Sequence, residues 1–108
     1  MPGETDLAVL IASMRPTLQP GVHVFATIAR GQSMPAGLDP VMTFVEPQGM
    51  TLVIGREAAE RAGLPAPFPC RMITLEVHSS LEAVGFLAAI TTLLAAAGIA
   101  VNPVSGYH

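Results

Sequence analysis

The sequence predicts an α+β fold, and three features of its patterning carry that prediction. Two stretches alternate apolar and polar residues with the period of two that a strand requires. One N-terminal stretch repeats its apolar residues at helical spacing. A strand, a serine-started apolar segment and a glycine stop then follow one another near the C-terminus, the order of a βαβ crossover.

The first helix is expected between Thr5 and Arg15, where Leu7, Leu10, Ile11 and Met14 fall at i, i+3, i+4 and i+7. Thr5 or Asp6 can cap it, and Pro16 ends it. Pro20-Gly21 marks a turn, after which Val22 to Ala29 reads as a strand with His23, Phe25, Thr27 and Ala29 on one face. Gly31 to Pro40 is a loop by composition. Val41 to Glu46 and Met50 to Ile54 are β-prone runs separated by Pro47-Gln48-Gly49, which predicts a hairpin.

Arg56 to Ala62 is expected to be helical, with Arg56–Glu60 and Glu57–Arg61 at i,i+4, Gly63 as its stop and Pro65 just beyond. Gly63 to Pro69 carries three prolines and divides the chain into an N-terminal half over residues 1–64, a linker over 65–70 and a C-terminal part over 71–108. Arg71 to His78 alternates as a strand, and Ser79-Ser80-Leu81-Glu82 has the form of a capping box that starts a helix. Phe86, Ile90, Leu93, Leu94 and Ala97 would form the buried face of that helix, and Gly98 would stop it. Ile99 to Val104 is expected as a further strand, at an edge because Pro103 has no amide to donate.

Composition narrows the function. The 108 residues are 51% hydrophobic and 12% charged, enough apolar material for one core or for two small units sharing one. With a net charge of -3, five arginines and no lysine, the chain has no basic surface to neutralise phosphates, which argues against nucleic acid. The single cysteine, Cys70, cannot form an internal disulfide, and the N-terminus lacks the features of a secretory signal, so a cytoplasmic location is expected. Ala83 to Val101 is uncharged and near the length that crosses a bilayer. It lacks flanking basic anchors and an aromatic belt, and a soluble reading is preferred.

Ile73 to Leu87, together with Ala97-Gly98-Ile99 and Val101-Asn102, resembles the opening of an ACT domain. There a strand leads through a short polar loop to a glycine early in the first helix, and a Gly-Ile step opens the second strand. More narrowly, Glu46 to Val53 followed by Leu75 to Gly85 looks like uncharacterised bacterial proteins with tandem ACT-like units. The resemblance implies a ferredoxin-like antiparallel sheet with helices packed on one face, and a regulatory role in which a small molecule, an amino acid or similar anion, is bound without catalysis. Val84 stands where the pattern often has proline, and by the pattern the unit ends before its third strand. A missing strand would leave unpaired backbone beside apolar side chains, so the hairpin or a second chain is expected to supply it, and a homo-oligomer follows.

The expected ligand-binding residues are Ser79, Ser80, Leu81, Glu82, Gly85 and Asn102. Amides at a helix N-terminus favour a carboxylate or phosphate, although the two serines equally serve as caps. Gly85, read as lying inside the first turns, costs about 1 kcal/mol against alanine, which suggests a close approach by a ligand or partner, or tight packing on the protein's own sheet. Glu82, Gly85, Ala89, Thr92 and Ala96 continue that small-residue stripe. Asn102 would orient a ligand from its strand or simply be solvated. His23, His78, Cys70 and Ser79 supply nucleophile and base types, yet their spacings match no catalytic or metal motif, so neither an enzyme, a metal site nor a cofactor is expected. The alternative to a sensor is an association module without a pocket.

Overall fold

A computed structural model describes residues 6–77 and 84–106. It divides the chain into two compact units, one continuous over Leu18–Ile73 and one assembled from Met1–Thr17 and Thr74–His108.

In the unit formed by the chain ends, helix α1 spans Leu7–Ser13. Asp6 caps it by accepting the Val9 amide at 3.1 Å, which satisfies one of the donors that the first turn leaves over. Met14 is already extended, and Arg15 stands before Pro16, where the helical conformation is disfavoured. The chain runs on as strand β1, Arg15–Leu18. No alternation announced this strand, and all four of its residues are exposed. Its pairing partner is the strand Ile73–Glu76, together making a two-stranded sheet. A last helix, Phe86–Ala96, packs against α1, and Leu10 and Ile90 are the buried residues of these two helices.

The continuous unit holds the larger sheet. Strand β2, His23–Ala29, pairs antiparallel with the strand Gly49–Gly55 from His23 opposite Gly55 to Ala29 opposite Gly49. Met42–Glu46 forms β3, which makes Gly49–Gly55 β4, and the two close the expected hairpin around Pro47-Gln48. Helix α2, Arg56–Ala62, follows β4 directly, and Gly63 terminates it in the left-handed conformation with φ +69. That stop is the one its sequence predicts. After the proline-rich stretch, β5, Pro69–Cys70, adds two residues beside His23 and Val24, so Ile73–Glu76 is β6 and Phe86–Ala96 is α3. The resulting order β3-β4-β2-β5, all antiparallel, is the ferredoxin-like arrangement of an α+β fold. The Gln19 amide donates to the Met72 carbonyl at 2.8 Å and the Arg71 guanidinium to the Gln19 carbonyl at 3.0 Å, tying the ends of this unit together.

Alternation decides the core. Val24, Ala26 and Ile28 of β2 and Leu52 and Ile54 of β4 point to one face, where Ala59 of α2 and Leu38 of the long loop complete the cluster. The other face carries His23, Phe25 and Thr27, their cross-strand partners Thr51 and Val53, and Met42 and Phe44 of β3. Phe25 and Phe68 meet there with ring centroids 5.8 Å apart.

Three expectations are corrected. The helix of the C-terminal segment begins at Phe86 with Gly85 as its N-cap at φ +89, so Gly85 lies before the helix and not inside its first turns. A left-handed φ is what glycine tolerates, and the propensity cost inferred for a helical glycine does not arise. Ile99 to Val104 forms no strand. A strand exists through its ladder; Pro103 lacks one donor, and residues 99–106 are exposed without a pairing partner among the described residues. Leu93, expected on the buried face of α3, is 69% exposed. No helix of the described residues is long and apolar enough to cross a membrane.

Candidate functional site

At one end of the larger sheet, two turns meet. Leaving β2, the chain reverses over Ala29 to Gln32, with the Gln32 amide donating to the Ala29 carbonyl at 3.0 Å and Gly31 at φ +83. A positive φ at the third position is the requirement of a type II turn, and glycine meets it without strain. The hairpin turn lies alongside, and Gly49 follows it, opposite Glu46 on β3 and Ala29 on β2. A Cβ on Gly49 would collide with the Ile28 carbonyl oxygen and stand 3.3 Å from the Ala29 Cα. Only glycine lets the two strands close here.

Between the turns is a shallow concavity of about 170 Å³, lined by Ile28, Ala29, Arg30, Gly31, Gln32, Val45, Glu46, Gly49 and Met50. Ile28, Val45 and Met50 contribute apolar lining from one face of the sheet, Glu46 stands with Thr51 on the other face, and Arg30 and Gln32 belong to the turn that follows β2. Because Gly49 presents no side chain to Glu46, the carboxylate reaches along the same face to accept the Thr51 hydroxyl through its Oε1. That bond fixes the carboxylate's position and leaves Oε2 as a further acceptor. The lining contains no serine, cysteine, lysine or histidine.

A second hollow, of about 370 Å³, opens on the face away from α2 and is lined by Phe25, Ala26, Thr27, Thr51, Pro65 and Pro67. It has no charged group to orient a ligand.

The sequence-derived site residues fall elsewhere. Ser79, Ser80, Leu81 and Glu82 lie outside the described residues, as does His78. Gly85 is exposed, and a Cβ there would meet Leu7 Cδ2 of α1 at 3.6 Å, so the neighbour of this glycine is the first helix. Asn102 is exposed in an irregular segment. The register brings His23 and Cys70 directly opposite each other. The thiol donates to the His23 main-chain carbonyl at 3.5 Å, and the buried His23 Nδ1 has no hydrogen-bond partner. No cluster of metal-ligating groups occurs among the described residues.

Sequence reasoning missed Arg30, Gln32 and Glu46 as a set because Glu46 lies at the far end of β3, beyond the long loop in which Arg30 and Gln32 stand. The available signal was Arg30-Gly31 at the end of a predicted strand, a charged residue in a glycine turn of the kind that function often uses.

A profile described as ACT domain matches residues 2–71. Among solved structures, the chain is similar to a Vibrio cholerae protein of unknown function, described as a possible transport protein, with 45% identity, a TM-score of 0.82, and coverage of 94% of this chain and 78% of that one. No curated protein matches.

Proposed function

This chain belongs to the ACT domain family, and from that premise we propose that it is a cytoplasmic regulatory protein that binds a small effector, an amino acid or similar anion, without catalysing its conversion. The concavity beside Arg30 and Glu46 supports the reading most directly, and it lies within the matched residues. A guanidinium recognises a carboxylate, and a carboxylate held by Thr51 recognises an ammonium. Opposite charges lining one concavity suit a zwitterion. The segment Ser79, Ser80, Leu81, Glu82 with Gly85 and Asn102 is a second proposed ligand contact, on the strength of its resemblance to the family's opening strand and helix. A homo-oligomer is part of the same proposal.

The test is a thermal-shift screen of the full chain against the proteinogenic amino acids and simple carboxylates. A ligand that binds only the folded state at a hundred times its Kd stabilises by about 2.7 kcal/mol. Arg30→Ala should abolish the shift while leaving the unliganded midpoint nearly unchanged, since Arg30 is exposed. No shift with any compound refutes the sensor reading. A shift that survives Arg30→Ala and Glu46→Gln but disappears in Ser80→Ala moves the contact to the C-terminal segment.

A further inference from the structure

β5 pairs with β2 only at His23 and Val24, and the hollow of about 370 Å³ opens where that ladder stops, from Phe25 to Thr27. The prolines of the preceding segment explain the break. Proline has no amide to donate, so the chain through Pro65 and Pro67 cannot close on β2 as a strand. It is held from the other side, because Leu64 and Ala66 pack against the core cluster while Pro65 and Pro67 wall the hollow. Phe25, braced by the ring of Phe68, adds an aromatic wall. The polar wall is Thr51, whose hydroxyl donates to Glu46 Oε1 and so holds that carboxylate beside the hollow, although Glu46 does not itself line it. Oε2 stays available as an acceptor, and Glu46 forms no ion pair with any described residue. Thr51 stands opposite Thr27, and Thr27 is one same-face step, about 7 Å, from Phe25.

We propose that this hollow binds an organic cation: a primary ammonium on Glu46 Oε2, joined through a short alkyl spacer to an aromatic ring that lies against Phe25, Pro65 and Pro67. Charge selects the cation. No cationic side chain lines the hollow, so an acid placed here meets only the Glu46 carboxylate at its margin and is repelled, whereas an ammonium donates to Oε2 in a charge-assisted hydrogen bond. Shape selects the ring. Phe25 offers an aromatic surface for offset or edge-on contact, and the two prolines bound it with apolar atoms that need no hydrogen bond. The distance from the Thr27 and Thr51 pair to Phe25 sets the spacer at about three carbons, enough to span one same-face step. Arg30 takes no part, which separates this site from the zwitterion site even though Glu46 belongs to both.

The experiment titrates the full, isotopically labelled chain with phenylpropylamine and follows its amide chemical shifts. The titration should saturate, with the largest changes at Phe25, Thr27 and Thr51. Propylamine, which lacks the ring, and phenylpropanoate, which reverses the charge, should each bind about tenfold more weakly or worse. Glu46→Gln keeps an acceptor for the Thr51 hydroxyl but removes the charge, and should weaken the amine about tenfold or more. Thr27 is exposed, so it accepts either charge without loss of the fold. Thr27→Glu should bind the amine about tenfold more tightly than Thr27→Lys, with far-ultraviolet spectra unchanged. A titration that never saturates, equal affinity for phenylpropanoate, a Glu46→Gln chain that binds as the parent does, or equal binding by the two Thr27 variants would each overturn the proposal. A response to the amine with none to any amino acid supports this site and removes the zwitterion reading; a response to amino acids with none to the amine overturns this site and leaves that reading standing.

Discussion

Replacing Gly49 by alanine places a methyl group where the main chain of Ile28 already is. The added Cβ would overlap the Ile28 carbonyl oxygen and lie 3.2 Å from its carbon and 3.3 Å from the Ala29 Cα. Those atoms belong to the backbone of β2, fixed by its seven-residue ladder with β4, so the obstruction cannot swing aside as a long side chain would. Two costs add. A side chain at positive φ, here +156, is strained by about 1–3 kcal/mol, and forcing atoms into a packed region costs about 1–3 kcal/mol more. Gly31→Ala separates them, because Gly31 has a φ of +83 but nothing within 4 Å of its Cβ position. The excess of Gly49→Ala over Gly31→Ala should thus be about 2 kcal/mol, a further fall of on the order of 10 °C in the thermal midpoint. Circular dichroism melts of both variants in parallel measure it. Equal midpoints would refute the claim that close approach of β2 and β4 dictates this glycine.

Leu52→Ala should destabilise by about 2–5 kcal/mol, since Leu52 is fully buried at the centre of the cluster between β2, β4 and α2; Leu93→Ala, on an exposed surface of α3, should stay within about 0.5 kcal/mol in the same urea titration. Asp6→Ala removes the cap of α1 and should cost about 1 kcal/mol, with faster amide exchange at Val9 as the local readout. Cys70→Ser should leave the urea midpoint almost unchanged, because the serine hydroxyl can keep the contact with the His23 carbonyl that the thiol now makes at 3.5 Å.

The elements that could be read before the fold was known are those whose signals are local. Gly63 ends α2 because left-handed φ is cheap only for glycine, and Asp6 caps α1 because its carboxylate reaches the Val9 amide three residues on. The β2 alternation fixes which face carries Val24, Ala26 and Ile28 before any partner is known. β1 and β5 left no such trace. Each is short, and neither has the alternation of a half-buried strand; they are strands because β6 and β2 lie beside them.

The same distinction explains the site. Arg30 and Glu46 share a concavity only because β2 and β3 both flank β4 and their ends come into line there. Gly85 shows the reverse error: the local pattern places it inside the first turns of a helix, yet α3 starts at Phe86 directly after this left-handed residue.

From its residues alone this chain determined an α+β architecture, the spans of β2, the hairpin and α2, and the faces that become core, because turn chemistry and hydrophobic period act within a few residues. Tertiary structure alone decided that β1 pairs with β6, that residues 99–104 have no pairing partner among the described residues, and that a cation and a carboxylate line one concavity at an end of the sheet. Those outcomes depend on which strands become neighbours, and strand pairing joins residues whose separation in sequence no local pattern encodes.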